Sequence, residues 1–125
     1  MKVFSGKNLC GDIIITLPQG INWDVYEQEL AKAKDGDIMN FKIPSLPIRT
    51  KVGDKCFLCY KGQIIGYMLI CGLVRTGFNC TTTGKRFDGN FVQRSGEFFK
   101  LNKPIPYSGF QGYRYFDIDK LTQYK

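Results

Sequence analysis

No histidine occurs among the 125 residues. Imidazole is the usual general base near neutral pH and the commonest metal ligand. Ser-His-Asp hydrolases, Cys-His nucleophiles and imidazole-bound zinc sites are therefore excluded. Acid–base work would fall to Lys, Asp, Glu, Tyr or Cys. Cys10, Cys56, Cys59, Cys71 and Cys80 are an odd set of five, so at least one thiol is free. Cys56 and Cys59 have CxxC spacing inside a strand-like run. Positions three apart in a strand face opposite sides, so two such thiolates do not easily reach one ion. We read the cysteines as small apolar core residues in a reducing compartment, with a four-thiolate site through Cys71 and Cys80 as the alternative. No metal and no cofactor is expected.

A catalytic reading needs Thr50 and Lys51 with a carboxylate, Glu97 or Asp88. A desolvated lysine can act as base toward a hydroxyl or water. Against it, neighbours in a strand face opposite sides. The basic residues suit binding better. Arg49, Lys51, Arg75, Lys85, Arg86, Arg94 and Arg114 lie near expected turns or strand ends. Guanidinium pairs bidentately with a phosphate or a guanine edge. Trp23, Tyr60, Phe110, Tyr113 and Tyr115 are candidate stacking platforms for unpaired bases, although most aromatics in a chain this small serve the core. Phe110 is favoured because Gly109 and Gly112 flank it, letting backbone and ring both approach a ligand.

The charge is unevenly spread. Residues 1–40 carry four basic and six acidic side chains, a net of −2, and residues 41–116 carry twelve basic and three acidic ones, a net of +9. Such a segment attracts polyanions, nucleic acid foremost. A length of 125 residues fits one domain, 1–125. The longest mostly apolar run, residues 64–74, is too short to span a bilayer, and residues 1–6 lack the apolar stretch of a secretory signal. No membrane partner is expected, and a cytoplasmic location is.

These side chains need elements to hold them. Residues 12–17 are rich in β-branched side chains and read as a strand buried on both faces. Asn22 is placed to cap a helix over 23–34, with Trp23, Tyr26, Leu30 and Ala33 as its apolar stripe and Gly36 just past its end. Residues 37–43 alternate as a half-buried strand does, and two prolines make 44–47 a loop. Residues 55–60 and 63–75 form a hairpin about Lys61-Gly62, with Gly66 and Gly72 marking a bulge, a corner or a close approach. A polar loop over 81–90 follows, then short strands near 91–94 and 97–101. A Pro104-Ile105-Pro106 connection leads to a last strand over 112–116. One early helix and about six short strands suggest a small α+β barrel.

Val52-Gly53-Asp54-Lys55-Cys56-Phe57-Leu58-Cys59-Tyr60, Gly62, and Ile64-Ile65-Gly66-Tyr67-Met68-Leu69-Ile70 together resemble the central hairpin of the PUA-like superfamily. That superfamily includes the PUA, ASCH, EVE and YTH domains. The segment from Gly109 to Phe116 is similar to the glycine- and aromatic-rich closing strand of ASCH- and EVE-like members. The resemblance implies an α+β fold: a PUA-like β pseudo-barrel of five to seven strands with one main helix at its mouth. It implies a cleft that binds RNA or DNA, often at an unpaired, flipped or modified base. The ASCH signature GxKxxExR is not present; Ile48-Arg49-Thr50-Lys51 falls near its basic end without the glutamate. The resulting expectation is a nucleic-acid-binding module using Arg49, Lys51, Tyr60, Arg75, Lys85, Arg86, Arg94, Phe110 and Arg114. Two alternatives stand beside it. One is a small ASCH-type hydrolase of nucleosides or RNA, resting on Thr50, Lys51 and Glu97. The other is an inhibitor-like protein of phage–host conflict.

Overall fold

β1 (Ile13–Thr16) opens the computed structural model, which describes residues 10–75, 78–79, 84 and 86–118. Its isoleucines are packed out of water on both sides of the sheet, each at 0% exposure. That follows from its place: β1 runs parallel to β3 (Lys55–Tyr60) on one side and antiparallel to β8 (Tyr113–Tyr115) on the other. Between β1 and β2 (Met39–Ile43) lies α1 (Trp23–Lys34). The Asn22 side chain accepts a hydrogen bond from the Val25 amide, as a cap does. Leu30 and Ala33 are buried, and Trp23 and Tyr26 pack half-buried against the same cluster, so the expected stripe is present.

The hairpin of β3 and β4 (Gln63–Arg75) turns at Lys61-Gly62 as its sequence requires. Its register slips once, between Leu58 and Cys59, opposite Ile64 and Gly66. A Cβ at Gly66 would meet the Phe99 carbonyl oxygen at 2.4 Å and the Phe98 ring at 2.6 Å. Glycine is there because another backbone lies against it.

Two expectations are corrected downstream. The short strands near 91–94 and 97–101 are one strand, β7 (Asn90–Pro106), that runs through Gly96 (φ +89) and pairs with β4 on both sides of it across a register shift. The Pro104-Ile105-Pro106 connection is the end of that strand, where Ile105 pairs with Ile64 and Pro106 with Gln63. β2 pairs only with residues 90–94 of β7. Beyond them the outer side of β7 is a sheet edge among the described residues, and an edge tolerates a missing N–H. Part of the expected 81–90 loop is also ordered: β5 (Phe78–Asn79) and β6 (Arg86–Phe87) form a two-stranded ladder, while 80–83 and Lys85 lie outside the described residues.

The six-stranded sheet runs β2-β7-β4-β3-β1-β8. It curls into a half-barrel, since side chains of β2 at one edge and β8 at the other pack on one cluster with α1. Among the described residues β2 and β8 do not pair, so the barrel-like sheet is open between them. The 44–50 loop crosses the seam. The Asn90 side chain donates to the Pro44 carbonyl (3.1 Å), and the Arg49 amide donates to the Tyr115 hydroxyl (3.0 Å). α1 lies on the enclosed face, chiefly against β7, where the Ser95 hydroxyl bonds the Ala33 and Asp37 carbonyls. The other face carries a second cluster built on Ile14, Phe57, Cys59, Ile64, Ile105 and Phe116. No helix among the described residues is long and apolar enough to cross a membrane.

Candidate nucleic-acid interface

The face away from α1 bears a row of six rings. Phe99 stacks on Tyr67 (centroids 4.9 Å apart), Tyr67 meets Phe57 (5.3 Å), and Phe57 meets Phe116 edge-on (4.9 Å). Phe116 then meets Tyr107 (5.7 Å), and Tyr107 meets Phe110 (5.9 Å). The middle of the row is core: Phe57 and Phe116 are buried. Its ends reach water, with Phe99 at 38% exposure and Tyr67, Tyr107 and Phe110 half-buried. A cation tops the ring next to one end and the ring at the other. The Lys55 Nζ lies 5.0 Å from the Tyr67 centroid, and the Arg114 guanidinium lies 4.3 Å from that of Phe110. Both are distances at which a cation is drawn to a ring face. The Phe110 segment is fixed by its amide, which donates to the Thr16 hydroxyl (3.1 Å).

A second set of rings lies on the enclosed side. Tyr60 stacks on Trp23 (4.9 Å, 20° between planes), and Trp23 on Tyr26 (5.7 Å). Lys61 lies 5.4 Å from the Tyr60 centroid. Behind Tyr26 is Arg94, which is 2% exposed. Its Nη1 donates to the Tyr26 hydroxyl (3.2 Å), and its buried Nε has no hydrogen-bond partner. Arg94 was expected near a strand end, open to phosphate. The structure instead places it in the middle of β7, pointing under α1, because it shares a face with buried Val92. Burial also pushes the neighbouring Cys56 thiol up to about 11, against the pull of the Arg94 charge. Cys56 belongs to the cluster under α1 and Cys59 to the one on the opposite face, as alternation predicts. The Cys59 thiol reaches the Tyr107 carbonyl (3.4 Å).

The remaining candidates scatter. Arg49 sits at the seam with its guanidinium 3.8 Å from the Tyr115 centroid. Tyr115 faces the enclosed side, so Arg49 and Phe110 do not share a surface. Arg75 is exposed at the end of β4, opposite Asn90. The Arg86 backbone pairs with Asn79, and Lys85 lies outside the described residues. The hydroxyl of Thr50 is buried and donates to the Gly11 carbonyl at 2.7 Å, while the Lys51 side chain is exposed. Among the described residues no hydrogen bond or ion pair joins exposed Glu97 to either. The arrangement gives a fastened turn.

Of the nine binding candidates, Phe110 and Arg114 are brought together on one face. Lys55, Tyr67 and Phe99, which complete that face, were not singled out. Lys55 comes within reach of the Tyr67 ring because the bulge between Leu58 and Cys59 sets Phe57, and with it Lys55, against the part of β4 that holds Tyr67. A two-residue turn counted without that bulge places each one position off. Compared with family models, with curated proteins and with solved structures, the chain matches none.

Proposed function

We propose that the chain is a nucleic-acid-binding module that holds an unpaired strand, RNA or DNA, on the face opposite α1. We propose with it that the fold is a PUA-like half-barrel working in the cytoplasm. The observation that carries the reading is the ring row with Lys55 at one water-exposed end and Arg114 at the other. Cations beside exposed rings suit a polymer that alternates phosphate and base. A base gains about 1–3 kcal/mol by stacking on such a ring. Arg114 over Phe110 is then the resting state: a base enters between guanidinium and ring, or takes the ring while the guanidinium moves to a phosphate. The excess of twelve basic over three acidic side chains in residues 41–116 supplies the general attraction.

The test is fluorescence anisotropy of labelled single-stranded and duplex oligonucleotides, titrated at low salt. Single strands, and duplexes with a mismatched base, are expected to bind more tightly than matched duplex, because freeing a paired base costs several kcal/mol. No binding to any of them at low salt would remove the reading.

A further inference from the structure

The register of the sheet sets one residue from each of five strands on a single rung: Phe99 of β7, Tyr67 of β4, Phe57 of β3, Ile14 of β1 and Arg114 of β8. Cross-strand partners share a face, and this rung lies on the face opposite α1. Its ends are open and its middle is closed. Phe99 is 38% exposed with Tyr67 stacked on one side, and no described strand pairs with the outer side of β7 there. At the other end the Arg114 guanidinium stands over half-buried Phe110. Between them Phe57 and Ile14 are sealed in one cluster with Ile105 and Phe116. A base can stack at either end and has no ring to stack on in the middle.

The sheet fixes the separation. Phe99 and Arg114 are four strand spacings apart, about 19 Å at about 4.8 Å each. Duplex rises about 3.4 Å per nucleotide, and an unstacked strand drawn out to about twice that covers the gap in about three steps. A mononucleotide, or one base flipped from a duplex, reaches one end only. No carboxylate stands on the rung. Beside it, the Asp12 carboxylate accepts from the Lys55 amide (2.9 Å), and Glu97 stands two residues before Phe99. The cations that meet the rung are Arg114 and, over the Tyr67 ring, Lys55.

We propose that the ligand is a single strand of at least about four nucleotides laid across the β-strands, with one base at Phe110 under Arg114 and the base about three steps on at Phe99. This rests on the nucleic-acid reading above and deepens it. Two platforms joined by a chain of fitting length act as one bivalent site, because the first contact holds the second base at high effective concentration. Affinity therefore steps up once a strand spans both ends, instead of growing evenly with length.

Competition anisotropy at low salt, with oligothymidylates from about two to about ten residues, tests it. Affinity is expected to be weak and nearly flat for the shortest strands, then to rise at least about tenfold at the length that bridges. In the shortest strand past that step, removing the inner bases to leave abasic sugars should alter affinity less than about twofold, and removing either terminal base should cost at least about fivefold. Phe99→Ala should erase the step and leave the shortest strands bound within about twofold of wild type. The abasic strands need no variant, so they decide the matter if Phe99→Ala does not fold. Failure of every strand to bind removes the nucleic-acid reading and this inference with it. Strands that bind with affinity rising evenly in length, a step that survives Phe99→Ala, or inner abasic sites as costly as terminal ones overturn the two-platform inference alone.

Discussion

The Arg94 guanidinium is buried with one hydroxyl as its hydrogen-bond partner and no carboxylate within ion-pair distance among the described residues. Arginine keeps its charge at any physiological pH, so the fold carries a desolvation cost of several kcal/mol there. Tyr26 offsets part of it and ties α1 to β7. Arg94→Met, similar in volume and uncharged, is therefore expected to leave stability unchanged or raise it by up to about 4 kcal/mol. Tyr26→Phe is expected to lower it by about 1–3 kcal/mol, because the charge then has no acceptor. In the Arg94→Met background the same substitution should cost much less. Urea unfolding of the three variants measures this, and a large loss from Arg94→Met would refute it. The Cys56 thiol gives a pH dependence. Its pKa stands at 9.0 unfolded and about 11 folded, so its share of stability is full below pH 9 and is lost as pH rises toward 11. Its size is on the order of 2–3 kcal/mol. Cys56→Ala should flatten the fall in unfolding free energy between pH 8 and pH 10.5 relative to wild type. The placement of Arg94 was partly legible: it stands two residues after Val92, so strand alternation puts both on one face. Charge alone argued the other way, since a lone arginine normally finds water.

Element boundaries were readable wherever a residue has only one good local use. Asn22, the stripe from Trp23 to Ala33 and Gly36 mark α1 from both ends, and the structure keeps all of them. Asn22→Ala should cost about 1 kcal/mol by stranding a helix amide. Gly66 was legible as a bulge or close approach, and both hold. Gly66→Ala should cost about 3 kcal/mol, the upper end of overpacking, because the Phe99 backbone against it cannot give way. Gly20→Ala, with nothing within 4 Å, is the neutral control, and thermal unfolding separates the two. β7 was misread because Ser95-Gly96 and the two prolines are ordinarily breakers. They do not break it because the cross-strand partner persists on either side of them: β4 pairs with residues 90–95, 99–100 and 105–106 of β7, the residues between are taken up at register shifts, and the outer edge needs no N–H at Pro104 or Pro106. Pairing between distant segments decides that, and no local pattern contains it. Lys103 and the prolines also blunt an edge that would otherwise invite another strand.

The polarity of the molecule separates a mildly acidic helix side from the ring-bearing face opposite α1. The charge asymmetry was visible in the sequence. The sorting of rings was not, because which face Phe110 or Tyr67 takes depends on bulges and on the return of the 107–118 segment over the sheet. If nucleic acid lies on that face, its two sources of affinity respond differently to salt. Phosphates release counterions when neutralised, so the logarithm of affinity falls with the logarithm of salt in proportion to the contacts made. Lys55→Ala and Arg114→Ala should each flatten that slope by about one unit, and the double variant by about two. Phe110→Ala should leave the slope unchanged and weaken binding by about 1–3 kcal/mol, the worth of one stacked base. Glu27→Lys, on the α1 side, is the control that locates the interface. At 0.1 M salt a charge acts over about 10 Å, so an added cation beyond the sheet should barely alter affinity. Anisotropy titrations of single-stranded oligonucleotide across a salt series measure all five. A Glu27→Lys effect as large as that of Arg114→Ala would place the strand on the helix side, with the Trp23–Tyr60 stack as its platform in place of Phe110.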